Sequence, residues 1–250
     1  MKVKVIGSGS MWNENNSASY MIDDHILVDI PNGMCKNLFR QEITPKQIDT
    51  VLITHFHGDH YFDMPFYMIL KSKAENKNIN MYCSKDGKKK IKRLLKLAFP
   101  NSVKSIYESV NMKYNHEDEF KLNNYDVIVV ELDHGRMKPA NGYIISDNKI
   151  KVGFTGDTTL CENVEYMSKE CNYLFCDCMF KTGTNKHMGI DNLQYLSKKY
   201  PKCKFVVSHM ENDTREELKK LKIKNIIIPS DGDNIKITLT DGDISATVNK

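Results

Sequence analysis

Four apolar runs in this chain each stop at a residue that can bind a metal ion. "VLIT" is followed by His55, "VIVVELD" by His134, "KVGFTG" by Asp157 and "KFVVS" by His209. Runs of β-branched and aliphatic residues of this length read as buried strands. Strands whose last residues are polar bring those residues together at one edge of a sheet, where α/β folds place their sites. A single histidine in such a place is ordinarily a hydrogen-bonded core residue. Four ligand-type residues in step restrict the chain to folds that converge on one rim.

Further strand-like runs cover 2–6, 20–22, 26–29, 80–83, 173–178, 226–228, 235–238 and 244–247. Helical patterns fall at 36–42, 86–98, 161–170, 191–199 and 214–222. Asp63 with Pro65 behind it is the start signal of another helix. Strands and helices alternate, with hairpin-like strand pairs at both ends. This predicts an α/β fold of four layers, αββα, rather than an all-β one. No linker or low-complexity tract interrupts it, so a single domain over residues 1–250 is expected.

Composition excludes some classes. Apolar residues make 40% and charged residues 27% of the 250, the balance of a soluble globular protein. No apolar run reaches membrane-spanning length, and "MKVKVIGSGS" reads as a strand and glycine turn, not a secretion signal. The seven cysteines are odd in number and have no framework spacing, and a cytoplasmic location is expected. Cys176 and Cys178 read as small buried strand residues. Net charge is only +4. The basic stretch "KDGKKKIKRLLKLAF" (85–99) has Ile91, Leu94, Leu95 and Ala98 at helical spacing, so its lysines read as the wet face of an amphipathic helix. Nothing in the charge demands a nucleic-acid polymer as partner.

"THFHGDH" (54–60) concentrates the chemistry. His55 and His57 alternate by two, so an extended segment points both the same way. Gly58 is expected to let the chain turn, after which Asp59 and His60 follow. That suits two histidines for one cation and an aspartate with a histidine for a neighbouring one. His134, Asp157 and His209 are candidates for the remaining positions. Imidazole and carboxylate together suit Zn²⁺, with Mn²⁺ or Fe as weaker alternatives. Two such cations can share a water and make hydroxide available near neutral pH. Asp59 is placed to orient that nucleophile.

"THFHGDH", with "TGDT" at 155–158 and "VVSHM" at 206–210 in order, resembles the metallo-β-lactamase superfamily, and the resemblance runs from "KVIGSGS" through "LVDIPNG" to the last strands. It implies that fold and two Zn²⁺ per chain. His55, His57 and His134 would hold the first metal; Asp59, His60 and His209 would hold the second; Asp157 would bridge them. "HYFDMPFYM" is similar to a ribonuclease Z stretch, with Pro65 in register. "HMGIDNLQ" (187–194) and "LFCDCMF" (174–180) are similar to two further segments of that family. They imply that Asp177 orients His187, which donates a proton to the departing oxygen. Read without that resemblance, His187 is a loop histidine. Arg136 and Lys138, just after His134, either contact the substrate phosphate or form a solvated loop.

The chain lacks an insertion with the composition of the tRNA-gripping arm of ribonuclease Z, and the segment between His134 and Asp157 has room for one strand and turn. A small phosphodiester is therefore the expected substrate. A compact chain with "KVKVIGSGSMWN", "LVDIPNG" and "HFHGDHYFDMPF" is most similar to the anti-Pycsar phosphodiesterases. That resemblance implies hydrolysis of cyclic mononucleotides such as cCMP and cUMP, with cAMP and cGMP as further substrates, against a host's antiviral signal. It also implies a homodimer in which a loop of one subunit reaches the other's site. A ribonuclease Z-type endonuclease and a protein that sequesters a ligand without turnover are the competing readings.

Overall fold

The structure, a computed structural model, describes residues 1–240 and 243–249. In chain order the first half forms β1 (Lys2–Gly7), β2 (Ser19–Ile22), β3 (Ile26–Val28), α1 (Met34–Arg40), β4 (Thr50–Leu52), α2 (Gly58–Tyr61), α3 (Met64–Ser72), β5 (Asn78–Tyr82), α4 (Gly87–Ala98), α5 (Val103–Glu108), β6 (Asn111–Asn115) and β7 (Glu119–Leu122). The second half forms β8 (Tyr125–His134), β9 (Met137–Ser146), β10 (Lys151–Phe154), α6 (Glu162–Glu170), β11 (Tyr173–Asp177), α7 (Ile190–Lys199), β12 (Lys204–Ser208), α8 (Asn212–Leu221), β13 (Ile226–Ile227), β14 (Asn234–Thr240) and β15 (Asp243–Asn249).

The strands make an eight-stranded sheet, β15-β14-β1-β2-β3-β4-β5-β6, and a seven-stranded one, β13-β12-β11-β10-β9-β8-β7. Three buried clusters show how they stack. One holds Val5, Tyr20, Val28, Tyr143, Phe154 and Phe175 between the two sheets. A second packs Leu38, Met64, Met68, Ile91 and Leu95 of α1, α3 and α4 on the outside of the first sheet. A third packs Val164, Met167, Leu193, Leu196 and Leu218 of α6, α7 and α8 on the outside of the second. Three apolar layers separate four layers of backbone, so the αββα architecture is observed. Phe154 is fully buried in the inner cluster; its truncation to alanine would cost about 3–5 kcal/mol.

Strand direction places the site. β3, β4, β5 and β6 run parallel, as do β10, β11, β12 and β13. β8 and β10 are both antiparallel to β9, so β8 points the same way as β10. The carboxyl ends of β8, β10, β11 and β12 therefore meet at one rim with the end of β4.

Several local features differ from the sequence reading. The stretch between His134 and Asp157 holds β9 as well as β10; Pro139 and Gly142 hide β9 because both are poor strand residues. At Gly142 a Cβ would meet Leu132 Cδ1 at 2.9 Å and Phe154 O at 3.0 Å, so close packing between neighbouring strands excludes a side chain there. Polar β6 and the short α5 also lacked a period to read. Asp63 precedes α3, but its carboxylate accepts the Cys35 N–H at 2.8 Å and makes no cap bond to its own helix. Gly58 opens α2 and does not form a left-handed turn; a Cβ there would strike the Phe62 ring at 2.7 Å. In α4, Ile91 and Leu95 are buried, Leu94 is half-buried and Lys88, Lys89, Lys92 and Lys96 are exposed, as expected of an amphipathic helix, but Ala98, in its last turn, is exposed and not part of the apolar face. Cys176 and Cys178 are buried free thiols. No helix among the described residues is long and apolar enough to cross a membrane.

Candidate metal centre

At the rim the structure draws seven of the candidate residues into two groups that share Asp157. One group is His55, His57, His134 and Asp157; the other is Asp59, His60, Asp157 and His209; within each, one ligand atom per residue lies within 4.8 Å of the others. His55 follows β4 and His57 sits in extended backbone at the head of α2, so both rings point into the rim, with His55 Nε2 3.1 Å from His57 Nδ1. α2 then carries Asp59 and His60 to the second group. His134 ends β8, and its Nε2 is 3.0 Å from His57 Nδ1. Asp157 Oδ2 is 3.3 Å from His60 Nε2 and 3.4 Å from His209 Nε2.

The rings are held from behind. His60 Nδ1 bonds Asp29 Oδ2 at 2.8 Å, and Asp29 also accepts the Thr54 N–H and hydroxyl at 2.8 and 2.7 Å. His134 Nδ1–H donates to the Lys186 carbonyl at 2.8 Å. Such outer partners fix the tautomer and leave the opposite ring nitrogen free to bind. Asp29 was not among the residues singled out from the sequence, although it follows the apolar run "ILV" as the other candidates follow theirs.

The electrostatics fit cations. Burial would raise Asp157, but His209 and His60 hold it well below the usual carboxylate range. Burial would lower His60, yet Asp157 and Asp29 lift it well above an ordinary imidazole. Burial likewise opposes His209, which Asp157, Asp59 and Asp177 raise to about 9. His55 is pushed well down, by burial first and then by His60. The carboxylates thus draw positive charge into a buried place. Among the described residues His60 Nε2 and Asp157 Oδ1 have no hydrogen-bond partner and are buried, which is costly unless something binds them. Two divalent cations fit this donor set, which is all imidazole nitrogen and carboxylate oxygen.

Beside the shared aspartate stands a second pair. Asp177, at the end of β11, accepts His187 Nδ1–H at 2.9 Å and the Thr158 N–H at 3.1 Å. Burial raises its pKa, with the His187 bond pulling the other way and Asp157 adding to the rise. His187 Nδ1 lies 4.0 Å from Asp157 Oδ2, and its side chain keeps 13% exposure. Arg136 and Lys138 are exposed on the β8–β9 hairpin; the structure does not bring them into the metal-ligand groups.

The sequence profile of the family described as anti-Pycsar protein Apyc1 matches residues 1–228. The chain belongs to the anti-Pycsar Apyc1 family. This Apyc1-family chain is also 30% identical over 132 residues to a ribonuclease Z of Thermococcus sibiricus, a match that takes in 52% of the chain and 40% of that relative. It therefore spans well under half of that relative's length. Among solved structures it is similar to a diphosphatase from the PhnP family, with a TM-score of 0.74 at 20% identity over 94% of this chain and 97% of that one. It is similar also to the metallo-beta-lactamase fold protein YhfI of Bacillus subtilis, with a TM-score of 0.74 at 17% identity over 93% and 97%. The Apyc1-family chain thus has the metallo-β-lactamase fold.

Proposed function

We propose that this chain is a metal-dependent phosphodiesterase that opens cyclic mononucleotides, cCMP and cUMP with cAMP and cGMP as further substrates, to linear monophosphates, and so counters cyclic-nucleotide antiviral signalling. The observation that carries this reading is the placement of the Asp177–His187 pair against an aspartate common to two donor groups. Membership of a family named anti-Pycsar, and a relative and a neighbour named ribonuclease Z and diphosphatase, support chemistry at phosphorus. His55, His57 and His134 would hold one ion and Asp59, His60 and His209 the other, with Asp157 between. Zn²⁺ suits such ligands best, and Mn²⁺ is the alternative. When bound, the ions supply a water of lowered pKa and positive charge against the growing negative charge at phosphorus.

The chain's own residues do the rest. Asp59 orients the attacking water and takes its proton. The new bond joins water oxygen to phosphorus, and the bond from phosphorus to the sugar oxygen breaks. That oxygen leaves as a poor alkoxide unless it is protonated. His187, with Nδ1–H held by Asp177, presents Nε2–H to it. The exposed apolar side chains Phe39, Phe66 and Leu70 on α1 and α3 form the face on which we place a homodimer contact, and light scattering of the pure protein tests that assignment.

The deciding experiment gives one metal-loaded preparation four cyclic mononucleotides and a precursor tRNA. Linear monophosphates, lost on addition of EDTA, are expected. Cleavage of the tRNA alone would replace this reading with the endonuclease one. Binding without turnover would favour sequestration.

A further inference from the structure

A cavity of about 740 Å³ opens between the two sheets beyond the metal-ligand groups, within the range of small-molecule sites. It lies on the same rim. Its walls come from the carboxyl ends of β5 and β6, which run parallel to β4, and from β8 and β9. Asn141 N–H donates to the Thr54 carbonyl at 2.9 Å, one residue before His55. Pro139, also in the wall, is two residues along β9 from Met137, the register partner of His134. At the rise of a strand Pro139 is about 7 Å along and Glu131, three residues along β8 from His134, about 10 Å, the span of a nucleotide from its phosphate to the pairing edge of its base.

Two features of the lining match a base. Tyr82 and Phe120, from opposite sheets, stack with centroids 3.9 Å apart and planes 14° apart, giving the cavity a flat aromatic wall. Glu131 and Asn141 are direct partners in the β8–β9 ladder, and both line the cavity. Cross-strand partners stand side by side on one face. A carboxylate accepts hydrogen bonds only, whereas an amide donates and accepts. Among the described residues the Glu131 carboxylate has no hydrogen-bond or ion-pair partner; its backbone carbonyl accepts Asn163 Nδ2–H at 2.7 Å. Lys85 and His116, both exposed, also line the cavity.

We infer that this cavity is a nucleobase subsite in which Glu131 and Asn141 read the pairing edge of an amino-bearing base. Resting on the function proposed above, this narrows the substrate class. The exocyclic amine of cytosine or adenine donates to Glu131, and the adjacent ring nitrogen accepts from Asn141. Uracil offers a carbonyl where the amine would be, and that oxygen would face a carboxylate. Carboxylate acceptance from the cytosine amine is a recurrent form of base readout.

The test measures kcat/KM of the metal-loaded protein for cCMP and cUMP. The parent protein is expected to favour cCMP by about tenfold or more, the discrimination of one hydrogen bond to a charged group. Glu131→Lys should reverse the preference, because an ammonium donates to the uracil carbonyl. Glu131→Gln, of the same shape, should keep a weakened preference for cCMP. If both substrates change by one factor in Glu131→Lys, or neither changes, the inference falls. A changed association state with an unmoved ratio would instead make the cavity a contact between copies and would overturn it too. If the parent turns over no cyclic nucleotide, the proposed function fails separately. The cavity is then judged by calorimetry with cytidine and uridine: binding of cytidine to the parent but not to Glu131→Lys upholds it, and no heat from either nucleoside ends it.

Discussion

The rings of His187 and His209 lie face to face, with centroids 5.3 Å apart and planes 7° apart. Asp177 serves both: its Oδ2 is 2.9 Å from His187 Nδ1 and its Oδ1 is 3.9 Å from His209 Nδ1. One buried carboxylate thus fixes a ring proposed to move a proton and faces the back of a ring proposed to bind a cation. The two tasks separate on substitution. His187→Ala should keep the parent's metal content. Its turnover of a cyclic nucleotide, whose leaving group is a sugar alkoxide, should fall by about 10²–10⁴. Bis-p-nitrophenyl phosphate, whose leaving group needs no proton, should lose much less. Elemental analysis with both assays checks this. Loss of metal, or an equal loss on the two substrates, would show that His187 does something other than donate a proton.

Asp29 makes a similar claim for His60. Its carboxylate holds His60 Nδ1, the Thr54 amide and the Thr54 hydroxyl, so it sets both the ring and the strand end that leads to His55. Asp29→Asn keeps the size of the side chain and removes the charge. Metal affinity should drop by about 10–100-fold, the usual effect of losing an outer partner, with the circular dichroism unchanged. Competition against a coloured chelator measures it. An unaltered affinity would mean that His60 orients itself.

These two residues show what could be read from the chain and what could not. His55, His134, Asp157 and His209 were visible because each ends an apolar run, and direction within a parallel block does the rest. Asp29 follows "ILV" in the same manner, yet a lone aspartate before "IPNG" looks equally like a turn residue, and only the packing of α2 beside β3 assigns it to His60. β9 was hidden by Pro139 and Gly142, whose value lies in contacts with strands far away in sequence. The Glu131–Asn141 pair was illegible for the same reason: it exists only in the register of a hairpin whose second strand had no period. Lys138 and Arg136 sit next to His134 in sequence, but hairpin geometry leaves them in solvent.

Asp157 is the residue that both donor groups share, and its removal should affect cations more than any other single change. Saturating Zn²⁺ should stabilise the parent protein by mass action, about 2.7 kcal/mol at a hundred times the dissociation constant. In Asp157→Ala the rise in Tm on adding Zn²⁺ should largely vanish, and bound metal should fall further than in His57→Ala, whose group retains two other histidines. Thermal melts with and without the ion decide the matter. A full Zn²⁺-dependent rise in Asp157→Ala would remove Asp157 from the bridging position.

Lys71 gives a prediction independent of the rim. The side chain is fully buried in α3, and its ammonium donates to the Pro45 carbonyl at 3.0 Å and to the Ile48 carbonyl. Burial pushes its pKa down to about 8 from 10.5, with Asp49 pulling partly back. The folded chain therefore releases this proton before the unfolded chain does. Between about pH 8 and 10.5 the unfolded state holds more protons, so the Lys71 contribution to stability rises with pH across that window. Below it, the charged form is carried at a cost on the order of 3 kcal/mol relative to high pH. Lys71→Met removes the titration. The difference in unfolding free energy, parent minus Lys71→Met, should grow in the parent's favour from pH 7.5 to pH 10 in urea titrations. Taking the difference cancels the tyrosines and cysteines that also titrate there. A difference that stays flat would mean that the two carbonyls hold the ammonium at an ordinary pKa, and one that moves the other way that they raise it; either result overturns the prediction.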